Sequence, residues 1–90
     1  MTLQDTLFNW LQIKIVSDAR PEDNSAKETL DFFALILTED HKLTSYHVSD
    51  TTDSLIYIQY ELEGINTIQK FDRERAEQLL KDIEENPKYN

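Results

Sequence analysis

The clearest period in the chain lies near its C-terminal end. Ala76, Leu79, Leu80 and Ile83 recur at the i, i+3, i+4, i+7 spacing that places residues on one helical face. Asp72 follows Phe71 and can cap such a helix by accepting backbone N–H bonds. Glu77 and Lys81 stand in the favourable i, i+4 order, and Pro87 forbids continuation past Asn86. The spacing predicts an amphipathic helix over about 73–86. Its apolar stripe is narrow, which suits a helix lying on a sheet with its other side in water.

Upstream the period changes from 3.6 to 2. Leu43, Ser45 and His47 alternate with Thr44, Tyr46 and Val48, and Asp50-Thr51-Thr52-Asp53 is a polar turn. From Ser54 to Leu62, Ile56, Ile58, Tyr60 and Leu62 share one face, leaving Leu55, Tyr57, Gln59 and Glu61 on the other. Glu63-Gly64 then reverses the chain with its only glycine, where a positive φ is wanted, and Ile65 to Phe71 forms a third strand. These segments predict a three-stranded antiparallel meander.

The first 42 residues carry two overlapping patterns. Leu3, Leu7, Trp10 and Leu11 make a helical stripe behind a Thr2 cap, yet Leu11, Ile13 and Ile15 alternate with Gln12 and Lys14 as a strand would. The first helix therefore ends near residue 11 or runs on to about 18. Over residues 26–40, Ser25 and Glu28 form a capping box, and Leu30, Phe32, Phe33, Ala34, Ile36 and Leu37 fill one broad arc from which only Leu35 departs. As a strand, Phe32 to Leu37 would be apolar on both faces and need a covered position or a dimer contact. The agreement of cap and wheel favours helix. The fold class expected is α+β, a single small domain over residues 1–90. It has an N-terminal helix or helix pair, the meander (four-stranded if residues 30–38 join it) and a C-terminal helix packed on the sheet.

Charge adds a regional feature. The 90 residues hold 18 acidic and 9 basic side chains, a formal charge of −9. Residues 30–64 contain seven acids and one base, so this segment alone carries −6. Phosphate neutralisation needs clustered Lys and Arg, so nucleic acid is disfavoured as a partner. The start of the chain lacks a basic and then apolar leader, and no run approaches the ~18 apolar residues of a membrane span. Without cysteine there is no disulfide, thiolate metal site or thiol nucleophile, and the cytoplasm is the expected compartment.

Candidate chemistry is sparse. One glycine cannot build a phosphate-cradling loop, and no metalloprotease, nucleophile-elbow or Cys/His metal pattern occurs. Ser45, His47 and Asp50 make a triad on paper only, with no oxyanion hole. No catalytic residue and no cofactor are expected. In an antiparallel meander, the start of the first strand and the turn between the second and third share one end of the sheet. Glu39, Asp40 and His41 precede that strand and Glu61 and Glu63 flank that turn, so carboxylates and an imidazole are expected at a common end. Such a surface suits a basic protein partner or, in the alternative, a divalent cation. Tyr57, on the face opposite Ile56 and Ile58, is a further candidate contact residue. A polar pocket around His47 and Tyr57, for a small ligand or an enzyme, is the competing possibility. Phe8 and Trp10 do not fit one narrow stripe, which raises a homodimer contact as a second kind of partner.

Overall fold

The structure, a computed structural model, describes residues 1–85. Helix α1 (Leu3–Ala19) and helix α2 (Asn24–Leu35) are followed by a π-helical turn, Ile36–Asp40. Strands β1 (Leu43–Thr51), β2 (Leu55–Leu62) and β3 (Ile65–Asp72) come next, and then helix α3 (Arg73–Glu85). The sheet is three-stranded and antiparallel in the order β1-β2-β3. The expected α+β architecture is the one observed, with the segment from residue 26 helical rather than a fourth strand. The expected stop of α3 near Asn86 and Pro87 lies outside the described residues.

α1 takes the longer of the two alternatives because its apolar residues serve two contacts. Leu7, Trp10 and Leu11 pack with Ile56, Ile58 and Tyr60 of β2, joined by Leu37, Leu43 and Ala76. Ile13 and Val16, further along, pack with Ala26 of α2 and Ile83 of α3. A helix buried on more than one side spreads its apolar positions around the axis, and over Leu11 to Ile15 that spread imitates strand alternation. α3 joins both clusters, Ala76 in the first and Ile83 in the second. All the helices lie against the Ile56–Ile58–Tyr60 face. The shortest dimension, 21 Å, is that of one helix layer on one sheet.

Three local details differ from the sequence pattern. α2 is capped by Asp23, whose carboxylate accepts the Ala26 N–H at 3.0 Å, and not by a Ser25–Glu28 box. Its inner stripe is Ala26, Leu30, Phe33 and Leu37, narrower than the expected arc, and Phe32 is left 57% exposed. β1 contains two register shifts, between Leu43 and Ser45 and between Val48 and Asp50. The first inserts Thr44 as an extra residue, so Leu43 shares the core face with Tyr46 and Val48 although simple alternation separates them. In α3, Glu77 pairs with Arg73 at 3.2 Å and not with Lys81.

The β2–β3 turn has positive φ at both central residues, +53° at Glu63 and +79° at Gly64. That is the type I′ hairpin pattern, for which asparagine is far better suited than glutamate at the first position. Glu63→Asn is expected to raise stability by about 0.5–1 kcal/mol, and Glu63→Gln to leave it nearly unchanged, in chemical denaturation. A second prediction concerns the α2 cap. The Ala26 N–H, opposed in part by desolvation and helped by Arg20, holds the Asp23 carboxyl below its ordinary value. A lowered carboxyl contributes stability above its unfolded value of 3.8 and loses it as pH falls through the folded value. Asp23→Asn, which keeps the cap, is expected to flatten the acid limb of the stability curve in that window.

Candidate functional site

The common end expected from the meander is present. Leu43 pairs with Leu62, which sets the start of β1 beside the Glu63-Gly64 turn. The residues expected there are placed differently from one another, however. Glu39 and Asp40 are exposed on the π-helical turn and Glu63 is exposed on the hairpin. Glu61 is half-buried and accepts a 2.8 Å bond from the Thr44 hydroxyl, so the bulge that realigns β1 also ties down this carboxylate. Among the described residues no three His, Asp or Glu side chains converge closely enough to hold a metal ion.

His41 turns toward α1 rather than joining the carboxylates. Its Nε2 lies 3.2 Å from the hydroxyl of Thr6, a fully buried residue, and its backbone N–H closes the π-helical turn on the Ile36 carbonyl at 3.1 Å. The Thr6 hydroxyl has one proton, which it donates to the Thr2 carbonyl at 2.8 Å. His41 must therefore be the donor to Thr6 Oγ1, through an Nε2–H. His41 thus ties the end of the π-helical turn to the first turn of α1. Lys42, the next residue, enters β1 with a φ of +61°.

The face of the sheet away from the helices carries the other candidates. His47 is exposed opposite Gln59, and Tyr57 is half-buried between Asp50 and Lys70 on the neighbouring strands. Asp50 accepts the Thr51 N–H at 2.9 Å. No hydrogen bond links Ser45, His47 and Asp50 among the described residues. Tyr46 faces the core and meets Trp10 edge-on at 5.2 Å, and burial with the nearby Asp31 charge pushes its hydroxyl above the ordinary value. Phe8 packs on Phe71 at 5.7 Å. Trp10 is thus buried in the core on the sheet, and Phe8 is half-buried at its β3 side.

The structure adds an exposed stripe on α2. Glu28, Phe32, Leu35 and Glu39 are all exposed and follow at i, i+4, i+7 and i+11, which aligns them along one side of the helix and its π extension. Phe32 and Leu35 are 57% and 56% exposed. Asp31 stands beside them, so two large apolar side chains sit within a row of acids. The sequence signal for this stripe was Leu35, the one residue off the helical wheel. A concavity of about 700 Å³ lies elsewhere, between the α1–α2 connection and α3, with Ile13, Val16, Ala26 and Ile83 inside and Arg20 and Asp23 at its rim. Its rim charges are already paired with one another at 3.4 Å.

Replacing Thr6 with valine keeps the shape and removes the oxygen that His41 donates to. A loss of about 1–3 kcal/mol is expected in denaturation experiments, and long-range ¹⁵N–¹H correlation of the neutral His41 ring should show the proton on Nε2 in the native chain. Searches against family models, curated proteins and solved structures find no match to this chain.

Proposed function

We propose that this chain is a small binding domain without catalytic activity, acting in the cytoplasm, whose acidic central segment engages a basic, amphipathic stretch of a protein partner. One observation carries this reading. Seven carboxylates in residues 30–64 face a single lysine in that segment. The ion pairs among the described residues, Lys14–Asp18, Arg20–Asp23 and Arg73–Glu77, all lie outside it. Unneutralised carboxylates held on a folded surface raise the local potential and favour an incoming Lys or Arg. Phe32 and Leu35 supply what charge alone lacks, apolar area that a partner can cover inside an acidic rim. Glu39, Asp40, Glu61 and Glu63 form the rim at the hairpin end. His41 acts as a positioning residue for Glu39 and Asp40, and Tyr57 extends the surface on the open sheet face. The absence of cysteine supports a reducing compartment, and no described helix is long and apolar enough to cross a membrane.

A ligand pocket around His47 and Tyr57 has less support. Neither residue lines the concavity of about 700 Å³ beside α2 or the smaller ones of about 240, 260 and 350 Å³.

Capture from a native lysate at low salt is expected to recover a partner with a basic amphipathic segment. Asp40→Asn/Glu61→Gln/Glu63→Gln is expected to weaken that complex by about tenfold or more and to flatten its salt dependence. Phe32→Ser/Leu35→Ser should weaken it while leaving the salt dependence in place. Recovery that is indifferent to both sets of substitutions overturns the reading.

A further inference from the structure

The two outer strands of the sheet are built differently. β1 is interrupted by its two register shifts, which bend an edge and discourage a further strand. β3 pairs with β2 without a break, from Ile65 opposite Leu62 to Asp72 opposite Leu55. Its outer side is therefore a straight row of backbone groups, open apart from a long 3.5 Å bond that Gln69 Nε2 donates to the Lys70 carbonyl. In a two-residue hairpin the residues flanking the turn exchange both hydrogen bonds, and pairs alternate from there. Ile65, Thr67, Gln69 and Phe71 thus bond inward to β2, and Asn66, Ile68 and Lys70 direct N–H and C=O outward.

The side chains along this edge are apolar or neutral in balance. Ile65 and Ile68 are 67% and 58% exposed. The strand holds one lysine and one aspartate, so it is uncharged overall in a chain of −9. By the same alternation Ile65 and Phe71 are on the helix-covered face and Ile68 is on the open face. Beside Phe71 the surface sinks into a concavity of about 260 Å³, lined by the Phe8 and Phe71 rings and by the polar residues Gln4, Asp5, Lys70, Asp72 and Arg75.

We infer that β3 pairs with β3 of a second copy, antiparallel about a two-fold axis through Ile68, and continues the sheet across both protomers. This register joins the outward-facing groups of Asn66 to those of Lys70 across the axis, and those of Ile68 to its own counterpart. Lys70 then meets an asparagine and not another lysine. On the helix side, Ile65 falls opposite Phe71 of the second copy and enters the concavity beside it, which is large enough for an isoleucine side chain. The chain thus carries at one end of β3 the exposed apolar group that fits the hollow at the other end. That complementarity selects a second copy over an unrelated extended segment. Pairing along one eight-residue edge strand forms reversibly, with a dissociation constant on the order of 10–1000 μM.

Sedimentation velocity over a concentration series should show a monomer–dimer equilibrium in this range. In a sample mixing ¹³C-labelled and unlabelled chains, a filtered NOE should connect the Ile65 methyl groups with the Phe71 ring. Within one chain these residues are about 20 Å apart along an extended strand, so the contact can only be intermolecular. Ile65→Lys and Ile68→Lys, both at exposed positions that leave the amide fingerprint of the fold intact, should each weaken the dimer by about a hundredfold, since each change occurs twice across the axis. A chain that remains monomeric at millimolar concentration overturns the inference. So does a dimer indifferent to both substitutions, or one whose intermolecular contacts map to β1. Binding of an added extended peptide along β3 without self-association also overturns it, by assigning the edge to a different occupant.

Discussion

The packing of α1 against β2 is the contact on which the remainder of the molecule depends. Leu7, Leu11 and Ile58 are almost fully buried where the helix crosses the central strand, and Trp10 closes the same cluster from the β1 side through Tyr46. Burying side chains of this size stabilises by roughly 1.5–3 kcal/mol each, against a net stability of about 5–15 kcal/mol for an ordinary domain. A few residues at this crossing therefore decide whether the sheet holds together. α2 and α3 then find their places on α1, through Ala26 and Ile83 on its Ile13 and Val16 side. The described part of the molecule leaves no buried side-chain nitrogen or oxygen without a partner. Thr6, inside this crossing, is satisfied by Thr2 and His41.

One helix layer on one sheet leaves the opposite sheet face and both edges in water. The distribution of charge follows from that geometry. Carboxylates cannot enter the core without large desolvation costs, so the acids of residues 30–64 are placed on turns, on the outer side of α2 and on the open sheet face. Thr44 and His41 show how the same segment is nevertheless held in position. Thr44 is extruded by a bulge and bonds to Glu61, and His41 anchors the π-helical turn to the buried start of α1. The acidic surface is thus held at two points on the same end of the sheet, one of which, His41 on Thr6, reaches the core.

What was legible in the sequence was whatever depended on a single periodicity. α3, β2 and the Glu63-Gly64 hairpin each bury one face or make one turn, and the spacing of Ala76, Leu79, Leu80 and Ile83 or of Ile56, Ile58 and Tyr60 is enough to define them. α1 was ambiguous because it touches the sheet on one side and two helices on the other, so no single stripe describes it. The phase change in β1 was hidden because a bulge leaves composition untouched and only reassigns which residues share a face. Phe32 lies within the apolar arc of the helical wheel but outside the buried stripe, because a wheel groups residues by angle and does not show how much of an arc the neighbouring elements cover. The candidate site was legible as a location, one end of the meander, but the partners of its side chains were not. Nothing along the chain links His41 to Thr6, 35 residues away, and that link separates the imidazole from the carboxylates that neighbour it in sequence.

The same one-sidedness bears on the two edges. A three-stranded sheet has one inner strand and two outer ones, so most of its backbone hydrogen-bonding capacity at the edges faces solvent unless it is blunted. β1 is blunted twice, by bulges that also serve the core by turning Leu43 inward beside Tyr46 and Val48. β3 has no such device apart from Lys70, and it keeps two exposed isoleucines where a solvated edge is usually polar. Net charge is a general safeguard against association, and with −9 on the chain it protects the molecule as a whole. It acts least at β3, where the local charges balance. An edge left straight, neutral and apolar beside one that is bent twice is a directional asymmetry. It confines any strand addition to one side of the sheet and leaves the acidic end of the meander, attached to β1 and the π-helical turn, free for a different contact.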